Sequence, residues 1–146
     1  MSQGPITIRR GQRTDFPLLP QLLGPTVSPE SEKAQVRHWR RVASNPTHDF
    51  YVAAREGSVR GMVLVSYIRA LTTPGWRAIL DLVVPVAALS EVGPLLLDCA
   101  KARARQRGCP HLMVWPTTQD QSEELSTLFL QAGFLPSGEV LSCAVQ

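Results

Sequence analysis

An apolar segment, a helical segment and a second apolar segment follow one another along the chain, and together they restrict the possible folds most. The segment "WRAILDLVV" (76–84) is rich in aliphatic residues, which is typical of a buried strand. A helix is predicted over about 92–107, with Gly108 as its stop signal, and "HLMVW" (111–115) is predicted to be another buried strand. Two strands connected through a helix lie parallel, with a right-handed crossover. The sequence therefore predicts a parallel βαβ unit.

The rest of the chain shows the alternating and helical spacings of further strands and helices. The predicted elements are, in chain order, a strand at 6–10, helices at 14–23 and 28–44, strands at 50–56, 59–71 and 76–84, a helix at 92–107, a strand at 111–115, a helix around 125–132, and one or two short strands over 134–146. This order predicts a mixed α/β (α+β) fold, with a central, largely antiparallel sheet, one parallel crossover and helices on both faces.

Length and composition narrow the possible classes of protein. A chain of 146 residues favours a single domain, 1–146, and 44% hydrophobic residues suit a soluble globular protein. The longest apolar run, "ILDLVVPVAAL", contains an Asp and is too short to cross a bilayer, and no apolar stretch follows the basic residues near the N-terminus. We therefore expect a cytoplasmic protein without a membrane partner.

The residue types that bind metals do not cluster in the sequence. Cys99, Cys109 and Cys143 form no CxxC pair, and Cys99 and Cys143 lie in apolar settings, so we expect buried free thiols; the alternative is a catalytic thiol or a metal ligand. The three histidines show no HxxxH or HxH spacing, and we expect no metal site. Basic clusters at 33–41 and 101–107 are either solvated helix faces or attract a polyanionic ligand, and no aromatic interleaving points to a nucleic-acid partner.

The segment that connects the strand at 76–84 to the next helix has the layout of a phosphate-binding turn, in which N–H groups at a helix N-terminus face an anion. Val92 and Gly93 would lie at that N-terminus, and the hydroxyl of Ser90 would add a donor. Glu91 would repel a phosphate unless its side chain points outward. Only one glycine is present, so the sequence predicts a degraded anion site.

Asp81 is the strongest candidate for a general base. It interrupts the apolar strand "AILDLVV", where burial of an unpaired carboxylate would raise its pKa. A raised pKa suits a base that accepts a proton from an ammonium group. The alternative is that Asp81 faces solvent or pairs with an arginine of a neighbouring strand, such as Arg69.

Four segments, taken together and in this order, resemble the GNAT N-acetyltransferase superfamily. They are "IRRGQRTDFPLLPQLL" (8–23), "LDLVV" (80–84), "ARARQRGCPHLMV" (102–114) and "LSTLFLQAGF" (125–134), the last resembling the family signature A-x-x-F-Y-E-K-x-G-F. The resemblance implies a GNAT-like acyl-CoA N-acyltransferase fold over nearly the whole chain.

The same resemblance implies a co-substrate and a reaction. Acetyl-CoA, or a related acyl-CoA, would lie between the parallel strands 76–84 and 111–115 where they part. Its pantetheine arm would pair with the backbone of Leu82, Val83 and Val84. An amine of a small molecule or peptide would then attack the thioester directly.

The sequence departs from the family pattern at two places. If Gly93 is the last glycine of the family's Q/R-x-x-G-x-G/A loop, the Q/R position falls on Ala88 and the earlier glycines on Leu89 and Glu91. Phe129 replaces the tyrosine that often protonates the leaving thiolate, so it would contribute only a wall of the co-substrate site or pack in the core.

Two tryptophans are candidates for contact with the acceptor. Trp39 lies in the predicted helix 28–44, which in the family borders the acceptor site, and Trp115 ends the strand at the mouth of the predicted wedge. The alternative for both is packing in the core or at its rim. Strand edges near 134–145 would also permit a homodimer.

Two hypotheses follow from these observations. The first is an N-acetyltransferase-like enzyme that acylates an amine. The second is a catalytically inactive GNAT-fold module that binds a partner protein or senses a CoA-type ligand; the missing loop glycines and the missing tyrosine favour it.

Overall fold

A five-stranded mixed sheet organises the protein, and the computed structural model describes residues 4–23, 29–114, 123–136 and 143–145. The strands are β1 (Ile6–Arg10), β2 (His48–Arg55), β3 (Ser58–Arg69), β4 (Trp76–Val83) and β5 (Leu112–Val114). The helices are α1 (Leu19–Leu23), which continues a 3-10 turn at Arg13–Leu18, then α2 (Pro29–Ser44), α3 (Val86–Gln106) and α4 (Glu123–Gln131).

The strands lie in the order β1-β2-β3-β4-β5. Neighbouring strands from β1 to β4 are antiparallel, whereas β4 and β5 are parallel and are connected through α3. The mixed α/β fold and the parallel crossover predicted from the sequence are therefore confirmed. The hairpin between β2 and β3 turns at Glu56 and Gly57, both with positive φ, as two-residue hairpin turns require.

The main core lies between the sheet and α3. Val63, Val65 and Leu80 point from the strands towards Leu96 and Leu97 of α3, and all five are fully buried. Burial of each of these side chains contributes about 1.5–3 kcal/mol relative to its exposure. On the other face of the sheet, Phe16 stacks between Trp39 of α2 and Phe50 of β2. Helices thus cover both faces.

Helix α3 begins at Val86, which is about six residues before the predicted start. The residues between Val86 and Gly93 are mostly strong helix formers, so this segment is the first two turns of the helix rather than a loop. Gly93 and Pro94 had suggested a helix start, but both lie inside the helix. Pro94 lacks an N–H, so the carbonyl of Ser90 has no helical donor.

Two smaller expectations also differ from the structure. The strand at 111–115 was predicted to be buried, but the described part of β5 is only partly so, with Met113 43% exposed. Cys143 is exposed rather than buried, whereas Cys109 is buried as expected. The predicted terminal strands lie mostly outside the described residues, and 143–145 are not in a strand.

No helix in the part of the chain that the structure describes has the length and apolar character needed to cross a bilayer.

Candidate active site

Asp81 lies on β4 directly after Leu80, the last residue of β4 that pairs with β5. Its carboxylate is half-buried, and burial raises its pKa above the ordinary value. Among the described residues it has no hydrogen bond or ion pair. Arg69 does not pair with it, because the Arg69 guanidinium lies over the Trp76 ring, 4.0 Å from the centroid. Asp81 therefore combines partial burial with a carboxylate available for proton transfer.

The pairing of β4 with β5 is short. It joins Ala78 to Leu112 and ends with Leu80 and Val114, whereas β4 continues for three residues, 81–83. No strand partner for these three residues on the β5 side lies among the described residues. The backbone edge that was assigned to the pantetheine arm thus has no strand partner in the part of the chain described.

The side chains along this edge point to opposite faces of the sheet. Leu82 and Val84 pack against the core cluster under α3. Asp81 lies opposite Leu64 of β3, which lies opposite Phe50 of β2, so these three residues share the α2 face.

The first turn of α3 follows Pro85, whose side chain cannot cap the helix. The N–H of Ala88 donates to the Pro85 carbonyl at 2.9 Å, which leaves the N–H groups of Val86 and Ala87 at the helix N-terminus without an intrahelical acceptor. These two groups, rather than those of Val92 and Gly93, are the helix N-terminal donors.

Because α3 begins at Val86, the residues predicted to bind an anion, Ser90, Val92 and Gly93, do not lie together at the helix N-terminus. Ser90 is exposed, but Val92 and Gly93 are buried inside α3. A Cβ on Gly93 would lie 2.7 Å from Cδ2 of Leu128, so a glycine here permits the close approach of α4. The prediction that Val92 and Gly93 lie at the helix N-terminus was therefore wrong.

Two open depressions flank the start of α3. The first, the basic cleft, has a volume of about 310 Å³ and is lined by Arg55, Arg60, Ala87 and Glu91 among others. Glu91 forms an ion pair with Arg55, with Oε1 and Nη1 2.5 Å apart. Its charge is thus compensated, and the expected repulsion of a phosphate is reduced.

The second depression, the acidic groove, lies between α3 and α4 and has a volume of about 480 Å³. Ser90, Glu123, Glu124 and Thr127 are among the residues that line it, and none of its described lining residues is a lysine or arginine. The two sides of the α3 N-terminus therefore have opposite charge.

Phe129 of α4 is half-buried, and its ring meets Phe134 edge-on, with centroids 5.4 Å apart. The ammonium of Lys101 donates to the Ala132 carbonyl close by. Phe129 thus packs at the edge of the core, as the alternative interpretation expected, and its predicted contact with a co-substrate stays a prediction.

Trp39 lies on α2 and is half-buried, with its ring parallel to Phe16 and the centroids 5.9 Å apart. Phe16 stacks in turn on Phe50 at 4.6 Å. Trp39 and Asp81 thus belong to the same face of the sheet. Trp115 lies outside the described residues.

A second carboxylate, Asp49 at the start of β2, is the centre of a cluster that the sequence did not single out. The Tyr67 hydroxyl donates to its Oδ2 at 2.6 Å, and Arg103 of α3 and Arg107, directly after the helix, donate to the carboxylate at 3.1–3.2 Å. Arg107 also lies over the Tyr67 ring, 4.4 Å from its centroid. The carboxylate is completely buried, so this cluster attaches the end of α3 to the sheet.

The charges around Asp49 determine the direction of its pKa. Burial alone would raise the pKa, but the hydrogen bonds from Tyr67, Arg103 and Arg107 outweigh it and lower the pKa below the ordinary value. Burial and the neighbouring Asp49 raise the pKa of Tyr67. Asp49 stays ionised and fully hydrogen-bonded, so it is a structural residue and not a base.

Among the described residues, no three His, Cys, Asp or Glu side chains come together as a metal site.

Sequence comparisons gave no match: no protein-family model matches the chain, and neither does any curated protein. Solved structures, in contrast, match almost its whole length. A transcriptional regulator from Bacillus halodurans C-125 has a TM-score of 0.79 at 24% identity, covering 97% of this chain and 100% of that chain.

Several acetyltransferases are also among the matches. A predicted acetyltransferase from Clostridium acetobutylicum, crystallised with acetyl-CoA, has a TM-score of 0.74 at 13% identity over 96% of both chains. An aminoglycoside antibiotic 6'-N-acetyltransferase from Acinetobacter baumannii has a TM-score of 0.76 at 13% identity, covering 97% of this chain and 99% of that chain. The chain therefore has the fold of GNAT acetyltransferases, which confirms the fold implied by the resemblance.

Proposed function

We propose that this GNAT-fold protein transfers an acyl group from acetyl-CoA, or from another acyl-CoA, to an amine of a small molecule or peptide. The observation that carries the proposal is the environment of Asp81. It is a half-buried carboxylate with a raised pKa, without a partner among the described residues, at the point where β4 extends beyond its pairing with β5. The acetyltransferase fold supports the same reaction.

Asp81 would act as the general base. An alkyl amine is protonated at neutral pH, since its pKa is about 10, and it must lose a proton before it can attack. Asp81 accepts that proton, directly or through a water molecule, and the nitrogen lone pair then forms a bond to the thioester carbonyl carbon. Such assistance contributes a factor of about 10²–10⁴ in rate.

The bond between the carbonyl carbon and sulfur breaks as the amide forms, and no tyrosine hydroxyl from the expected position helps. Phe129 has no hydroxyl, and the hydroxyl of Tyr67 donates to Asp49. A thiol has an ordinary pKa of about 8.5, so a thiolate can leave without a protein acid. The nitrogen loses a second proton as the amide forms. This proton, or the one held by Asp81, neutralises the thiolate, and the other passes to solvent.

The described residues suit the pantetheine part of acetyl-CoA better than its phosphates. The backbone of Leu82, Val83 and Val84 would pair with the pantetheine arm, and Phe129 would contribute an apolar wall. On one side of the α3 N-terminus, the hydroxyl of Ser90 would donate a hydrogen bond to the phosphates. Glu123 and Glu124, however, line the same acidic groove.

On the other side, Arg55 and Arg60 are the cations of the basic cleft. The N–H groups of Val86 and Ala87, rather than those of Val92 and Gly93, would donate to the phosphates at the helix N-terminus. We therefore expect acetyl-CoA binding that is weakened, but not abolished, by the missing glycines.

The acidic groove and the missing tyrosine also support the alternative, a catalytically inactive module that binds a partner protein or senses a CoA-type ligand. Acetyl-CoA binding and acyl transfer distinguish the two. A ligand that binds only the folded protein stabilises it by RT ln(1 + [L]/Kd), about 2.7 kcal/mol at a hundredfold excess over Kd.

We expect the thermal midpoint to rise with millimolar acetyl-CoA and thioester to be consumed when amines are added. A rise without consumption across small-molecule and peptide amines would favour the inactive module. An unchanged midpoint would reject acetyl-CoA as the donor.

A further inference from the structure

The outer side of α2 carries a row of positive charges. Lys33, Arg37, Arg40 and Arg41 follow at spacings of four, three and one residues, so they project from one side of the helix. All four side chains are exposed. We call these four residues the basic stripe.

The opposite side of α2 is held in place by packing. Trp39 stacks on Phe16, and Val42 is buried. The helix therefore cannot turn the basic stripe towards the protein without exposing its apolar side.

The basic stripe has no acidic partner among the described residues. Several other cations in the described chain do have one; for example, Arg9 pairs with Asp15 at 2.8 Å, and Arg55 pairs with Glu91. Like charges three or four residues apart on a helix repel each other and lower its stability. A negatively charged occupant would relieve this repulsion.

The position of the stripe relates it to the proposed acceptor site. Trp39, on the same helix, stacks through Phe16 on Phe50, and Phe50 shares a face of the sheet with Asp81 through Leu64. A molecule bound along the outer side of α2 would thus lie on the same side of the sheet as the Asp81 carboxylate.

We propose that the basic stripe docks an acidic segment of a polypeptide and that an amine of this polypeptide is the acyl acceptor. This rests on the proposed function. The stripe extends over eight residue steps, about 12 Å along the helix. That length matches about four residues of extended chain.

The geometry favours a polypeptide over other polyanions. An amphipathic helix that binds a membrane needs an exposed apolar side, whereas that side of α2 is packed against Phe16 and the sheet. Single-stranded nucleic acid is bound by exposed aromatic rings, but Trp39 is stacked within the protein. Residues 109–146 also contain no lysine or arginine. The last quarter of the chain therefore cannot lengthen the basic stripe into a surface for a long polyanion.

Binding of fluorescent peptides tests the proposal independently of catalysis. One peptide has a single lysine next to four acidic residues, and its control has asparagine and glutamine in their place. We expect the acidic peptide to bind at least about tenfold more tightly at low salt. The difference should shrink towards about 0.15 M salt, because exposed charges are screened.

The variant R37E/R40E should lose this preference, and R37Q/R40Q should weaken it. The matched control is R69E/R105E, which makes the same change of charge at two exposed arginines outside α2, neither of them on the α2 face of the sheet. We expect it to retain the preference within about twofold, because surface charges far from the ligand are largely screened. Circular dichroism spectra of the variants verify that they are folded.

Equal binding of the two peptides, or equal loss in both double Glu variants, would overturn the proposal. Tighter binding of a single-stranded RNA oligonucleotide or of phosphatidylserine vesicles than of the acidic peptide would overturn it too. Acyl transfer to simple amines without any preference for the acidic peptide would leave the proposed function intact. It would reject the docking of an acidic polypeptide on the basic stripe. Peptide binding through the stripe without any acyl transfer would support docking and reject the enzyme.

Discussion

Asp49 and Asp81 are two carboxylates in the same sheet, and their surroundings are opposite. Asp49 is completely buried and accepts hydrogen bonds from one hydroxyl and two guanidinium groups, so its pKa is lowered. Asp81 is only half-buried, and with no partner among the described residues its pKa is raised by burial.

The difference shows that burial alone does not determine the direction in which the pKa of a carboxylate shifts. Asp49 is the more buried of the two, but its ionised form is stabilised and its lone pairs are occupied. Burial destabilises the ionised form of Asp81, and no partner among the described residues compensates this cost, which is typical of a group retained for proton transfer. The comparison predicts that Asp49 determines stability and that Asp81 determines activity.

The largest effect is expected from Asp81→Asn. Asparagine cannot accept the proton, so kcat/KM for acyl transfer should fall by about 10²–10⁴ while acetyl-CoA binding changes little. Stability at neutral pH should stay the same or rise, because a partly buried charge is removed. Asp98→Asn, at an exposed position on α3, is the matched control. A variant that keeps wild-type kcat/KM would exclude Asp81 as the base.

Asp49→Asn should have the largest effect on stability. It removes the charge that compensates Arg103 and Arg107, and breaking such a buried pair costs about 3–5 kcal/mol. Urea denaturation, compared with Asp98→Asn, measures the loss. A fall in the free energy of unfolding of less than about 1 kcal/mol would mean that the ion pairs of Asp49 contribute no more than ordinary surface ion pairs.

The pH dependence of stability should have opposite signs for the two carboxylates. We expect this effect to be smaller than those of the two substitutions. The folded pKa of Asp49 is below its unfolded value, so its contribution to stability is present above the unfolded pKa, about 3.9, and is lost as the pH falls through the folded pKa. The folded pKa of Asp81 is above its unfolded value, so its contribution is present at low pH and is lost as the pH rises through the folded pKa.

Activity should rise over that same interval as Asp81 loses its proton. Urea denaturation and kcat/KM measured across pH test both parts. Wild-type and Asp81→Asn stability curves of identical shape would contradict the raised pKa.

Much of the fold could be predicted because its signals are local. Alternation of apolar residues placed β1 to β4 within one or two residues of their bounds, and Gly108 marked the end of α3. The start of α3 was missed because Gly93 and Pro94 are poor helix residues taken alone. In the structure Gly93 is required where Leu128 of α4 packs against α3, a contact that local propensity does not contain.

The site was predictable only in part. Asp81 stands out because it interrupts an apolar strand, and this is visible in the sequence. The role of Asp49 was not visible in the sequence, since its partners Arg103 and Arg107 are 54 and 58 residues away. One signal was available: Asp49 alternates with Tyr51 and Ala53 on β2, which places it on the face that α3 covers.

The basic stripe on α2 and the glutamates of α4 lie on opposite faces of the sheet, so these two groups of charges form a dipole roughly along the sheet normal. In the field of an acidic protein such a dipole rotates the molecule during its diffusional approach, before any contact forms. Productive encounters would then be more frequent than random collisions at low ionic strength, and this advantage would decline as salt is added.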